Sequence, residues 1–267
     1  MVLGNTEAFP PCNYLIRTAP NAYCHMLGRK MATGVYIDGL NFYYGALKGT
    51  QYKWLDFEQF VHLLLPRDEI SVIRYFTATI NKRHNDDGAH SRQAVYLRAL
   101  RANPNILIHK GHFRNDVRWK ALADNRHRSS DLFKPSFRPL TLFNLMWKDN
   151  VIRREEQATL ARVVIDEEKG SDVNLGVHLL DDCARRLCNK ALVISNDSDL
   201  VGAIRLAKGF ADQVGILNPH STPTNRRLRD EASFEIPFRP DALAKCQLPQ
   251  IVHTPRNGHV HRPKMWR

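Results

Sequence analysis

The chain has 267 residues, 43% hydrophobic and 25% charged, which is the composition of a globular protein able to bury a sizeable core. Its 39 Lys and Arg against 27 Asp and Glu give a formal net charge of +12, which favours a polyanionic partner such as RNA, DNA or an anionic membrane face. The absence of a long apolar run predicts no membrane span. The five cysteines form no CxxC pair, so we predict free thiols and a cytoplasmic location.

The first 30 residues do not resemble the rest of the chain. They hold one acid, Glu7, and no apolar stretch typical of a secretion signal. We predict that residues 1–30 are an extension outside the fold, with Met31 as an alternative start. A basic organellar presequence remains the other interpretation.

Strand-like and helix-like segments alternate from residue 34 onward, which predicts an α/β fold with a mainly parallel sheet. In the first half we predict strands at 34–38, 71–79 and 106–108, and helices at 40–48, 56–65 and 89–102. In the second half we predict strands at 162–165, 191–194 and 213–217, and helices at 172–188 and 198–208.

Two stretches depart from this alternation. Residues 114–160 are rich in basic side chains, lack a clear period and are too long for a plain connection, so we predict an insertion or a mobile lid there. Residues 247–267 hold basic residues, prolines and histidines but no acid, which predicts a disordered basic tail. One domain is therefore expected over 31–246.

Acidic side chains follow two of the predicted strands. Asp38 ends the first strand, and Asp197 and Asp199 follow the apolar run at 191–194. Asp172 opens the helix that begins after a Lys169-Gly170 turn. Because the carboxyl ends of parallel strands and the amino ends of the following helices lie at one edge of the sheet, we expect the four aspartates to meet. Clustered carboxylates suit Mg²⁺ or Mn²⁺, which activate water for attack on a phosphodiester.

Each of these residues also has a plainer interpretation. Asp at a helix start is commonly an N-cap, and Asp38 before a glycine is a common turn residue. Asn41 either orients Asp38 or faces solvent, and Lys169 either contacts phosphate or is a solvated surface residue. The joint occurrence of the four acids favours a site.

Other polar residues are given lesser roles. Asp182 lies ten positions after Asp172, about 15 Å along a helix, which is too far to share an ion. Asp182 and His178 are four positions apart on a face other than the apolar one of Val173, Val177 and Leu180, and we interpret them as a packing pair. His109 and His112 are left open between nucleic-acid contact and strand end.

Three ordered motifs resemble the NYN domain family, bacterial relatives of the PIN and FLAP-type metal-dependent nucleases. They are Tyr36-Ile37-Asp38-Gly39-Leu40-Asn41, Glu168-Lys169-Gly170-Ser171-Asp172-Val173-Asn174-Leu175 and Val193-Ile194-Ser195-Asn196-Asp197-Ser198-Asp199-Leu200. The resemblance implies a PIN-like α/β/α fold, an acidic pocket for Mg²⁺ or Mn²⁺ formed by Asp38, Asp172, Asp197 and Asp199, and Asn41 as its polar partner. Lys169, Ser195 and Asn196 are expected to support the site or bind substrate. Many relatives carry an Asp where this chain has His178.

The expected function is a metal-dependent ribonuclease acting on single-stranded RNA. The alternative is an RNA-binding or regulatory module that no longer cleaves. A haloacid-dehalogenase-type phosphatase is disfavoured because it needs Asp-x-Asp after the first strand, where this chain has Asp38-Gly39-Leu40. A toprim-type domain is disfavoured because its first strand should end in Glu.

Overall fold

A computed structural model of the chain describes residues 32–79, 88–121, 152–155, 158–255 and 258–266. The predicted extension at 1–30 lies outside the described residues, and so does most of the predicted insertion. Across the described ranges, no helix combines the length and the apolar character that a bilayer crossing requires.

The centre of the fold is an eight-stranded sheet in the order β4-β5-β3-β2-β1-β6-β7-β8. Strands β3, β2, β1, β6, β7 and β8 pair in parallel, whereas β3 with β5 and β5 with β4 are antiparallel. The prediction of a mainly parallel α/β sheet is therefore confirmed. The strands are β1 Ala32–Asp38, β2 Glu69–Ala78, β3 Ile106–Ala121, β4 Ile152–Glu155, β5 Ala158–Lys169, β6 Lys190–Ile194, β7 Gln213–Leu217 and β8 Phe234–Glu235.

Helices pack on both faces of this sheet because the central strands are apolar on both sides. Along β1, Val35 and Ile37 face one core, which also holds residues of α1, α2, α3 and α7. Tyr36 faces the other core, with residues of α4, α5 and α6. The helices are α1 Gly39–Phe42, α2 Phe57–Leu64, α3 Ala89–Leu100, α4 Ser171–Ala184, α5 Val201–Ala207, α6 Arg226–Glu231 and α7 Pro240–Lys245, with a π-helical turn at Tyr43–Leu47 and a 3₁₀ turn at Ser198–Leu200.

The predicted insertion at 114–160 is partly regular strand. β3 continues to Ala121 and pairs with β5 from His112↔Lys169 to Ala121↔Leu160. Residues 114–121, 152–155 and 158–160 are therefore regular strand, and the insertion itself stays a prediction. Val117 and Trp119 of β3 are 54% and 38% exposed, so this part of the ribbon offers sequence reasoning no buried apolar period.

The predicted disordered tail is also ordered where the structure describes it. β9 (Ile251–His253) and β10 (His259–His261) pair as an antiparallel hairpin whose inward residues, Val252 and Val260, are buried. The Trp266 ring then lies 6.2 Å from the Trp54 ring, centroid to centroid. The tail is held by a few long-range contacts, which its polar composition does not reveal.

Helix α4 buries a different face from the expected one. Val173 and Val177 are 68% and 58% exposed, so the face assigned to the core lies on the surface. The buried residues are Ser171, Leu175, Gly176, Leu179, Asp182 and Cys183. A buried acid on the inner face hides the true apolar period from sequence reasoning.

Asp182 is fully buried and paired with Arg74. Its carboxylate accepts hydrogen bonds from the Arg74 Nη2 and Nε at 2.6 and 2.7 Å and from the Tyr36 hydroxyl at 2.9 Å. Asp182 is thus a satisfied structural acid, as predicted, but its partner is Arg74 and not His178. These contacts tie α4 to the middle of the sheet.

Candidate active site

The carboxyl ends of β1 and β6 lie side by side, since the two strands pair in parallel up to Ile37↔Ile194. Asp38 and Ser195 come next on the two strands. The Ser195 hydroxyl donates to Asp38 Oδ2 at 3.0 Å and accepts from the Asp197 amide at 3.1 Å. The two predicted acid-bearing strand ends are therefore joined directly.

Asp38 is the most buried acid of this edge, with 6% of its surface exposed. Burial raises its pKa to about 6, although hydrogen bonds from the Asn41 amide and the Ser195 hydroxyl act to lower it. Repulsion from Asp197 and Glu168 adds to the rise. The hydrogen bond from the Asn41 backbone amide also makes Asp38 the N-cap of α1, so the cap interpretation of Asp38 is confirmed.

Asp172 lies in the first turn of α4 and is not its cap, because Gly170 at φ +96° holds the N-cap position. The pKa of Asp172 is raised to about 7, first by partial burial and then by repulsion from Asp38, Asp197, Glu168 and Asp199. The carboxylates of three sequence motifs thus act on one another at a single edge of the sheet.

Asp197 and Asp199 form the turn that leads from β6 into α5. Asp197 Oδ1 accepts from the Asp199 amide at 3.0 Å, so Asp197 caps the 3₁₀ turn. Asp197 is half-buried and Asp199 is exposed. Their placement agrees with the predicted wall of an acidic pocket.

Glu168 is an acid of this edge that sequence reasoning did not assign. It lies near the end of β5, and its Oε1 accepts from the Ser171 amide at 2.9 Å. Its electrostatic effect on both Asp38 and Asp172 places it among the acids. The signal was its position just before the Lys169-Gly170 turn, at the end of the strand that leads to Asp172.

The donor set consists of hard carboxylate oxygens, the ligands that Mg²⁺ and Mn²⁺ prefer. As placed, no three His, Cys, Asp or Glu side chains within the described ranges are close enough to share one ion. Mg²⁺ commonly binds through one or two carboxylates and keeps several waters, so the set fits a partly hydrated ion.

Asn41 holds the strand ends in place instead of facing solvent. Its Oδ1 accepts from the Asn196 amide and from His220 Nε2, each at 3.1 Å, which requires the His220 proton on Nε2. Asn196 Oδ1 in turn accepts from the Asn225 amide at 2.7 Å. His220 was missed because it follows β7 by three residues, although that strand ends at the same edge.

His178, at the position where the NYN resemblance predicts an acid, packs against other rings. Its centroid lies 4.0 Å from that of His109, which stacks on Phe76 at 4.9 Å. Burial lowers the pKa of His178, and the Arg74 charge lowers it further. His178 therefore joins the structural network around Asp182.

Two further residues considered for substrate contact, Lys169 and His112, lie opposite each other on the paired strands β5 and β3, and both are exposed.

A groove of about 450 Å³ opens from the acids on the side of α4 and α5. Glu168, Lys169, Asp172 and Asp199 line one end. The rest of its wall is mainly apolar and includes the exposed Val173 and Val177. The groove is thus lined by acids from three elements and by apolar side chains of α4 and α5.

Comparison with known proteins gives one named relative and one solved structure, and no family model matches the chain. The relative is the 6-hydroxy-3-succinoylpyridine 3-monooxygenase HspA of Pseudomonas putida, 30% identical over 260 residues that cover 88% of this chain and 75% of the relative. The solved structure is a Vibrio parahaemolyticus protein of unknown function, with 13% identity, a TM-score of 0.42, and coverage of 83% of this chain and 98% of that one.

Proposed function

The chain belongs to the same family as HspA of Pseudomonas putida, and we propose that it is a metal-dependent ribonuclease with a PIN-like α/β/α fold of the NYN type. The observation that carries the proposal is the meeting of five carboxylates at one edge of the sheet, where burial and, beyond it, repulsion from the other four acids raise the pKa of Asp172 to about 7. A cation at this edge would remove that repulsion. The net charge of +12 favours a polyanionic partner such as RNA.

Asp38, Asp172, Asp197 and Asp199 would hold the ion, one or two of them directly and the others through its bound waters. A bound Mg²⁺ or Mn²⁺ supplies an activated water and neutralises charge on the phosphate. Asp38 is kept in one orientation by Ser195 and Asn41, so its carboxylate is fixed before substrate arrives. The backbone amide of Asn196 donates a hydrogen bond to Asn41 Oδ1 and so fixes the same turn. Lys169, which lines the groove, would attract the RNA backbone.

The direct test is cleavage of unstructured single-stranded RNA by purified protein with Mn²⁺ or Mg²⁺. Asp197→Asn should lose at least about a hundredfold in rate, since it removes a ligand of the reacting centre. Asp181→Asn is the matched control, because Asp181 is an exposed acid of α4 paired with Arg185. RNA binding without cleavage by the wild-type protein would favour the silent RNA-binding module instead.

A second candidate, a monooxygenase, is favoured by the name of the 30% identical relative. The groove also suits a small molecule with an apolar ring and an anionic or chelating end, such as a hydroxypyridine that carries a carboxylate chain. Oxygen uptake that depends on 6-hydroxy-3-succinoylpyridine, together with a hydroxylated product, would establish this activity. RNA cleavage that depends on Asp197, with no oxygen uptake, would favour the nuclease.

A further inference from the structure

A cavity of about 600 Å³ lies on the opposite face of the sheet from the acidic groove. It is lined by the π-helical turn, the loop 218–224 after β7 and the segment from β8 to α7. The apolar part of its wall consists of flat rings, those of Pro219, Pro223 and Pro237 and the partly buried ones of Tyr52 and Phe238. Phe238 packs edge-on against Phe42, with centroids 6.3 Å apart, so its ring is held in place.

His220 and Asn41 connect the cavity to Asp38 of the candidate active site. His220 lines it and bonds Asn41 Oδ1 at 3.1 Å, while the Asn41 amide bonds Asp38 Oδ1 at 3.0 Å. A ligand that touches His220 is therefore close to the buried carboxylate. This is the edge at which open α/β sheets bind their ligands.

The loop 218–224, which forms one wall of the cavity, is preorganised by its own hydrogen bonds. Asn218 is buried, its Oδ1 accepts from the His220 amide at 2.8 Å, and its Nδ2 donates to the Thr222 carbonyl at 2.7 Å. Gly45 lets the His220 ring lie close, since a Cβ there would stand 2.9 Å from His220 Cδ2. The wall thus needs little reordering when a ligand binds.

A donor and an acceptor stand together at the cavity wall. Arg229 Nε lies 3.3 Å from Glu235 Oε2, and the two side chains are 54% and 35% exposed. Flat apolar walls suit the faces of a planar ring, and a guanidinium beside a carboxylate suits its hydrogen-bonding edge. The volume is that of a pocket for a molecule of nucleotide size.

We propose that this cavity is a nucleobase subsite, which holds one base of an RNA strand while the adjoining phosphodiester lies at Asp38. The subsite rests on the proposed ribonuclease function. The base would stack between the ring and proline walls, and Arg229 with Glu235 would bond its edge. The enzyme would then prefer a base next to the cleaved bond.

Binding of nucleoside monophosphates, measured by calorimetry without divalent cations, tests the subsite separately from cleavage. At least one of UMP, CMP, AMP and GMP should bind about tenfold more tightly than ribose 5-phosphate, which lacks the base. Ser221→Trp, at an exposed position of the wall, should fill the cavity and weaken binding about tenfold. Arg229→Gln should also weaken it, whereas Arg226→Gln, on the same helix and 92% exposed, should not.

Equal binding of ribose 5-phosphate, unchanged binding by Ser221→Trp, or no nucleotide binding at all would overturn the subsite. RNA cleavage with any of those results would leave the ribonuclease standing. Base-dependent nucleotide binding without RNA cleavage would support the base-binding cavity and contradict the ribonuclease function.

Discussion

The hydroxyl of Ser195 bonds Asp38 across two neighbouring strands, with Ser195 Oγ 3.0 Å from Asp38 Oδ2. The same oxygen accepts from the Asp197 amide, so one small side chain sets the distance between the two strand ends. Ser195 is 1% exposed, and water does not substitute for it easily. Ser195 is therefore a positioning residue for the acids.

Ser195→Ala should raise the pKa of Asp38 above its value of about 6, because the lost hydrogen bond favours the ionised form. The acidic limb of the pH profile for Mn²⁺ binding should move up by about half a unit to one unit. Ser198→Ala is the control, since Ser198 lies in the following turn. An unchanged limb would contradict the role of Ser195.

Asp172→Asn should stabilise the fold at neutral pH. The pKa of Asp172 is raised to about 7, mainly by burial, so ionisation costs more in the folded than in the unfolded state. The penalty is absent below the unfolded pKa of about 3.9, grows as the pH rises toward 7 and is constant above it. Because Asp172 is partly exposed, we expect a gain of about 1–2 kcal/mol at pH 8 and much less at pH 4.

Urea unfolding of the wild type and Asp172→Asn at both pH values measures this difference. Millimolar Mn²⁺ should reduce the gain at pH 8, because the cation relieves the same repulsion in the wild type. A variant equally or less stable at pH 8 would show that Asp172 is not repelled in the folded protein.

Asp182→Asn should lower the free energy of unfolding by about 3–5 kcal/mol, because it leaves Arg74, whose side chain is only 13% exposed, without its charge partner. Asp181→Asn, next to it but in an exposed pair with Arg185, should cost less than about 1 kcal/mol. Thermal and urea unfolding measure both variants. Similar losses for the two would contradict the burial of the Arg74–Asp182 pair.

The C-terminal hairpin should contribute to stability. Val260→Ala should lower the free energy of unfolding by about 1–2 kcal/mol, because Val260 is 2% exposed against the core. His259→Ala, at the adjacent outward position, should change it little. A disordered tail would leave both variants as stable as the wild type.

The acid-bearing edge was predictable because it is encoded locally. The apolar runs that end at Asp38 and before Ser195 predict β1 and β6 to within two residues. Strand β7 is predicted at its observed bounds, Gln213–Leu217, for the same reason. Parallel pairing then brings these ends together without knowledge of side-chain contacts.

The missed features depend on contacts between distant residues. The inner face of α4 includes Asp182, whose charge is stabilised there by the hydrogen bonds from Arg74. Arg74 lies 108 positions earlier in the chain, so no local pattern reveals this contact. His220 meets Asn41 across 179 positions, and no local pattern indicates that contact. The C-terminal hairpin is likewise held by burial of two valines and by the Trp54–Trp266 contact.

Anomalous diffraction from crystals of the protein soaked in Mn²⁺ at pH 8 tests the central claim most directly. The account predicts a Mn²⁺ peak within ligand distance of Asp197 and of at least one of Asp38, Asp172 and Asp199, absent in Asp197→Asn and retained in Asp181→Asn. A Mn²⁺-soaked crystal with no peak at this edge, or with an unchanged peak in Asp197→Asn, would contradict it.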